Sequence, residues 1–227
     1  MTAPPGDNGR PVLLLDVGGV LLLPAAREAV EALAAWGARP PDTDDATLHY
    51  EAVYAFDHSG DIRAYRRAYA HGLGLRGAAL DSVAATSALW RRPWSVPIPP
   101  AVVRLRWLVA EGGIDVVIVS DSDGTVARQL EDNNVCQVGA GPLATVLAVC
   151  DSAEVGASKP SPLIFEAARR ALSGPRRIIG HVGDSVYCDV EGARRAGVVP
   201  IHVDPLDRCQ QADHRHVTGL ADLDVLA

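Results

Sequence analysis

The chain has 227 residues, 48% of them hydrophobic and 22% charged, with a formal net charge of −7. That balance describes a folded chain with material for one large domain, or a core with a smaller insert, and excludes a disordered polyelectrolyte. The acidic surplus without a basic stripe argues against nucleic acid as the main partner, and the opening MTAPPGDNGR lacks the basic-then-apolar layout of a secretory signal.

Residues 1–10 are expected to form a disordered tail. The run PVLLLDVGGVLLLP that follows has the continuous apolar character of a strand buried on both faces of a parallel sheet, and it is too short and glycine-rich to span a membrane. One carboxylate, Asp16, interrupts it, at a cost in free energy unless it is solvated, paired or metal-bound. An amphipathic helix is expected over 27–37. Residues 46–92 carry helical patterns (ATLHYEAVYAF, DIRAYRRAYAHGL, ALDSVAATSALW) and no strand-like run, and RRPWSVPIPP, with four prolines, reads as a linker that ends a helical insert. Helix and strand then alternate: helix 101–113, strand 115–120, helix 124–134, strand 145–150, helix 161–172 with Ser161 as N-cap and Pro162 at N1, strand 177–182, helix 189–197 and strand 198–203. Such alternation means βαβ units, hence an α/β fold: a three-layer, Rossmann-like parallel sheet with helices on both faces and a helical domain inserted after the first strand.

The four cysteines, Cys136, Cys150, Cys188 and Cys209, form no C-x-x-C pair, and no Cys/His spacing resembles a zinc site; reduced thiols of a cytoplasmic protein are expected. Of the 21 basic residues, 20 are Arg and one is Lys, Lys159. A lysine kept where arginine serves everywhere else points to a need for a compact ammonium.

In a parallel sheet, ligands bind beyond the carboxyl ends of the strands. Asp16 ends the first strand, Ser120 ends the second, Gly183-Asp184-Ser185 follows the fourth, Asp189 comes five residues after Asp184, and Lys159 lies just before a helix start. Taken singly, each has an ordinary alternative: a turn carboxylate for Asp16, a helix cap for Ser120 or Asp189, an Asx turn for Asp184, a solvated surface position for Lys159. Together they fit metal-assisted phosphoryl transfer. Asp16 and Asp184 would hold Mg²⁺, a free oxygen of Asp16 would attack phosphorus, Ser120 would hold phosphate oxygens and Lys159 would neutralise them. Carboxylates without a cation would repel each other and the phosphate.

The stretches LLLDVGGVLL, VIVSDSDGTVARQLE, DSAEVGASKPSPLIFEAARRAL and HVGDSVYCDVEGARRAG resemble the haloacid dehalogenase superfamily, most closely its phosphatase-like members with a helical cap, from residue 11 to about 205. The resemblance implies Asp16 as nucleophile, Ser120 as phosphate binder, Lys159 as stabilising cation and Asp184 with Asp189 as an acidic metal motif. It implies a core of 11–24 and 98–227 and a mobile cap of 25–97 that selects substrate. One position departs from the pattern. Two residues after the nucleophile, the phosphatases usually carry a second Asp that protonates the leaving oxygen; here Gly18 offers only a backbone carbonyl to a metal. Asp121, next to Ser120, reads as a substrate-binding position, and as either a substitute acid or a helix cap. The expected function is a Mg²⁺-dependent phosphatase of a small phosphorylated metabolite, with an aspartyl-phosphate intermediate and no membrane or nucleic-acid partner. The alternatives are a metal-free 2-haloacid dehalogenase, which the acidic GDSVYCD argues against, and a catalytically weak binding or regulatory protein, which Gly18 supports. Cap residues His49, Tyr50, Tyr54, Asp57, His58, Arg63 and Arg66 are candidates to line the site, and none is assigned specificity.

Overall fold

The computed structural model describes residues 9–85 and 94–224. Most of the expected tail, and residues 86–93 at the end of the helical stretch, lie outside them.

The opening apolar run forms β1 (Val12–Leu15), every residue of which is buried. The period-2 alternation of a strand divides its side chains between two apolar clusters. Leu13 and Leu15 pack with Leu105, Leu108, Val116 and Ile118 on one face. Val12 and Leu14 pack with Val117, Val119, Ile164 and Phe165 on the other. This explains the lack of polar alternation: each face of the strand has a helical layer to bury against. At about 1.5–3 kcal/mol for each fully buried Leu or Val side chain, β1 is a main source of the sheet's stability.

The chain continues through β2 (Leu22–Pro24), α1 (Ala26–Leu33, prolonged by a 3₁₀ turn to Trp36), α2 (Asp45–Ser59), α3 (Ile62–Gly72) and α4 (Gly77–Ala85). Asp44 caps α2, accepting from Thr47 N at 2.7 Å, and Gly60 ends it in the left-handed region. These helices bury a cluster of their own around Leu33, Leu48, Tyr65, Tyr69 and Leu73. The chain returns through β3 (Trp94–Pro97), which pairs antiparallel with β2. The segment read as a proline-rich linker therefore contains a strand. Its prolines are compatible with that because the ribbon has only two strands and so each is an edge.

The remainder is α5 (Pro99–Ala110), β4 (Asp115–Ser120), α6 (Val126–Asp132), β5 (Cys136–Val138), β6 (Ala144–Val146), β7 (Ala148–Asp151), α7 (Ser152–Val155), α8 (Pro162–Arg170), β8 (Ile178–Gly183), a π turn (Val186–Val190), α9 (Glu191–Arg195), β9 (Pro200–Val203) and β10 (Arg215–Val217). Ser161 and Pro162 occupy the N-cap and N1 positions of α8, as the sequence indicates. The main sheet has six parallel strands in the order β10-β9-β8-β1-β4-β7. The single strand expected over 145–150 is two: β6 pairs with β5 in a small separate sheet, and the chain crosses at Leu147 to enter the main sheet as β7. An apolar run cannot reveal that its two halves have different partners. No helix of the described residues is long and apolar enough to cross a membrane.

Phe165 is fully buried on α8 and meets the His181 ring edge-on at 5.0 Å. Phe165→Ala is expected to cost about 3–5 kcal/mol, read as a lower urea midpoint at unchanged slope.

Candidate active site

Parallel register brings the ends of three strands to one edge of the sheet. Leu15 lies opposite Ile118 of β4 and Val182 of β8, so Asp16, Ser120 and Asp184 emerge side by side. They line a cavity of 690 Å³ together with Gly18, Lys159 and Asp189, a size that suits a small metabolite.

Lys159 is the centre of the charge arrangement. Its ammonium is 2.9 Å from Asp16 Oδ1 and 2.7 Å from Asp189 Oδ1, with its side chain 2% exposed. Burial alone opposes its charge, but Asp16 and Asp189 outweigh that and raise its pKa well above the ordinary value. The backbone N–H of Lys159 donates to Asp121 Oδ1 at 2.9 Å, so Asp121 fixes the loop that delivers the lysine. Asp189 sits on the π turn, a winding wider than an α-helical turn that occurs frequently at functional sites. His181 Nε2 is 2.8 Å from its Oδ1, and Ser185 N–H donates to its Oδ2 at 3.1 Å. Burial raises the Asp189 pKa, but Lys159 and His181 overcome this and hold it below the usual carboxylate range.

Asp16 and Asp184 are poised differently. Burial pushes both carboxyls well above the ordinary range; Lys159 only partly offsets this for Asp16, and Asp189 adds to it for Asp184. Asp16, Asp184 and Asp189 each offer an oxygen within 4.8 Å of the others. Three carboxylates and one ammonium make a buried cluster with an excess of two negative charges when ionised. A hard cation bound through oxygen relieves that excess, and the donor set is the kind that suits Mg²⁺.

The helical segment reaches into the site. His49 of α2 places Nε2 2.7 Å from Asp184 Oδ2 and Nδ1 2.8 Å from the Tyr65 hydroxyl. Burial lowers its pKa to about 3, so the ring is neutral. Gly19, at φ +63°, makes this approach possible: a Cβ there would lie 1.9 Å from Asp184 Oδ2 and 2.8 Å from His49 Nε2. Tyr50 O–H donates to the Gly19 carbonyl at 2.6 Å. Asp57 accepts from Ser185 Oγ and from the backbone N–H groups of Val186 and Tyr187 at 2.6, 2.9 and 3.0 Å.

Three features of the site are not singled out by the sequence. His49 is one of seven undifferentiated candidates there, and only the tertiary fold singles it out. His181 looks like an ordinary interior position of an apolar strand. Trp94 lies far from Gly18 in sequence, yet two of its ring atoms come within 3.0 Å of the place a Cβ on Gly18 would take. The indole therefore crowds the place where a side chain at position 18 would begin.

The chain belongs to the haloacid dehalogenase-like hydrolase family, whose model matches residues 11–197. It is 35% identical over 116 residues to haloacid dehalogenase-like hydrolase domain-containing protein 3 of Mus musculus, covering 44% of this chain and 43% of that one. The matches span less than half the length of the curated relatives. The fold is similar to that of the magnesium-bound putative HAD-hydrolase YfnB of Bacillus subtilis, at 17% identity and a TM-score of 0.61, covering 94% of this chain and 96% of that one. It is also similar to a 2-haloacid dehalogenase of Pseudomonas syringae pv. Tomato DC3000, at 21% identity and a TM-score of 0.53, covering 93% and 95%. At such identities these two structures speak for the fold alone, and site chemistry must choose the reaction.

Gly18→Asp is expected to destabilise the chain by about 1–3 kcal/mol through contact with Trp94. In a Trp94→Ala background the same substitution should cost at least about 0.5 kcal/mol less, measured by a double-mutant cycle in urea. An equal cost in both backgrounds would show that the ring is no obstacle.

Proposed function

We propose that this hydrolase is a Mg²⁺-dependent phosphatase of a small phosphorylated metabolite, working through an aspartyl-phosphate on Asp16. The observation that carries the reading is the charge count: Asp184 stands beside Asp16, while the one ammonium present is shared with Asp189. Displacement of halide from a 2-haloacid by a carboxylate needs no second acidic group at the nucleophile, and one there would repel an anionic substrate. A phosphate monoester needs a cation, and these residues supply oxygens to hold one.

In this reading Asp16, Asp184 and the Gly18 carbonyl hold Mg²⁺, which when bound shields phosphate charge from the carboxylates. Asp16 attacks phosphorus with one oxygen, and the bond to the leaving alkoxide or phenoxide breaks. Water then cleaves the acyl phosphate, releasing inorganic phosphate and restoring Asp16. Ser120 and Lys159 hold the transferring oxygens, with Asp121 fixing the loop of Lys159. Asp189 and His181 act through Lys159 by fixing the position of its ammonium. Residues 25–97 form a cap over a core of 11–24 and 98–227. Support for that division comes from the separate apolar cluster of the helices, the β2–β3 ribbon as the two-chain connection, and His49 projecting into the cavity.

The test is a panel of phosphorylated metabolites and 2-haloacids, each with Mg²⁺ and with EDTA. Phosphate release that EDTA abolishes and Mg²⁺ restores is the expected result; halide release in EDTA without phosphatase activity would overturn it. Asp16→Asn should lose turnover with little loss of melting temperature, since the near-isosteric amide keeps an oxygen for Lys159 and Asp189 still pairs its ammonium. Lys159→Arg should lower kcat/KM at least tenfold, about 1.4 kcal/mol of transition-state stabilisation, because a guanidinium does not fit between Asp16 and Asp189.

Position 18 supplies no acid, a function usually worth about 10²- to 10⁴-fold. Aryl or acyl phosphates should therefore outpace alkyl phosphates, with log kcat/KM rising steeply as leaving-group pKa falls. A flat dependence that becomes steep in His49→Gln would assign the proton donor to α2 instead.

A further inference from the structure

A second cluster of chemically capable side chains lies at the β9–β10 edge of the sheet, outside the lining of the candidate active-site cavity and one hydrogen bond from Asp184. We propose that His202, Cys209, His214 and His216 form a zinc site, with four protein ligands and a structural role.

The fold assembles the set by simple rules. His202 on β9 and His216 on β10 are register partners in adjacent parallel strands, so their side chains stand on one face. His214, two residues before His216, continues the same alternation. Cys209 comes from the loop between the strands, where Asp204 pins the backbone by accepting from Arg208 N–H at 3.1 Å and Cys209 N–H at 2.8 Å. One ligand atom from each of the four lies within 4.8 Å of the others.

The spacing suits a tetrahedral ion. With metal–nitrogen bonds of about 2.0–2.1 Å and a metal–sulfur bond of about 2.3 Å, a regular tetrahedron has N···N edges of about 3.3 Å and N···S edges of about 3.6 Å. His214 Nε2 is 3.3 Å from His202 Nδ1, 2.9 Å from His216 Nε2 and 3.8 Å from Cys209 Sγ.

The outer hydrogen bonds fix which nitrogens carry protons. His202 Nε2 lies 3.1 Å from the Asp184 carbonyl, which can only accept, so Nε2 carries the proton and Nδ1 presents a lone pair. His214 Nδ1 lies 2.9 Å from Asp213 Oδ1. The same carboxylate pairs with the Arg194 guanidinium at 2.6 Å through its other oxygen, and it accepts from Nδ1–H. In the neutral ring, His214 Nε2 then also presents a lone pair. In neutral rings two lone pairs thus face each other at 3.3 Å, an arrangement that is relieved by a shared proton or by a metal ion bound to both. The Asp213–His214 pair is the carboxylate–histidine orientation that metal sites use.

Imidazole with one thiolate favours zinc over magnesium or calcium, and a closed set of four protein ligands leaves no coordination position for substrate. On binding, Cys209 gives up its proton to solvent and its sulfur bonds the metal. The ion would fasten a three-residue edge strand and the loop before it to β9. The spacing C-x₄-H-x-H gives no ordinary zinc motif because the fourth ligand is supplied by another strand.

The proposal is independent of the phosphatase reading, and its test needs no substrate. Tag-free, full-length protein is dialysed without chelator and its metals are measured; about one zinc per chain is expected. After chelator stripping, Co²⁺ should give the visible absorption of a tetrahedral site with a thiolate-to-metal charge-transfer band. Zn²⁺ should raise the melting temperature of the stripped chain by about 5 °C or more. Cys209→Ser should lose the charge-transfer band, and His214→Ala the stoichiometric zinc, whereas Asp16→Asn should keep both. Wild-type protein without stoichiometric zinc and without the cobalt spectrum would overturn the proposal, even if the variants fail to fold. So would zinc lost from Asp16→Asn but retained in Cys209→Ser and His214→Ala, which would place the ion in the acidic cluster.

Discussion

The site depends on one buried ammonium. Lys159 stands between Asp16 and Asp189 at hydrogen-bond distance from each, almost out of reach of water. An isolated charge could not occupy that place, and neither carboxylate could remain ionised there alone. The three groups are mutually conditional, and much of the nearby structure keeps them in place. Asp121 fixes the backbone of the lysine, His181 and Ser185 hold Asp189, and the parallel register of β1, β4 and β8 brings their ends together. The π turn is part of the same arrangement, since it returns Asp189 toward the strand that precedes it.

The helices of residues 26–85 contribute more than cover. They have their own apolar cluster, yet α2 sends His49 to Asp184, Tyr50 to Gly19 and Asp57 to the turn after β8. A single helix thus touches the loop after Asp16 and the turn after β8 at once. Displacing α2 would alter the surroundings of the very carboxylates that govern the charge of the cavity, so its seating and the electrostatics of the site change together.

Much of this is legible in the residues. The doubly buried β1 is readable because an all-apolar run that stops at a single carboxylate suits a central strand with its end at a polar site. Lys159 stands out because it is the one lysine in the chain. Positions governed by long-range pairing are not legible. The split of 145–150 into two strands depends on which partner each half finds, and β10, the three residues Arg215–Val217, has no apolar pattern to announce it. His202 and His216 become neighbours only through strand register. His49 and Trp94 acquire their places from the packing of the helical segment and its return strand against the loop at Gly18, a contact between segments with no shared periodicity. Local chemistry is readable wherever a strand end supplies it, and unreadable wherever two distant segments have to meet.

Trp94 belongs to the strand that carries the chain back from the helices, and its ring lies beside the loop at Gly18. Residues 18 and 94 consequently form a linked pair in any divergence of this fold. A carboxylate at the first position asks the ring at the second to give way by a few tenths of an ångström, or to be something smaller. A lineage passing from one arrangement to the other would meet least resistance by shrinking the indole before gaining the acid, because the reverse order asks both groups to share one space.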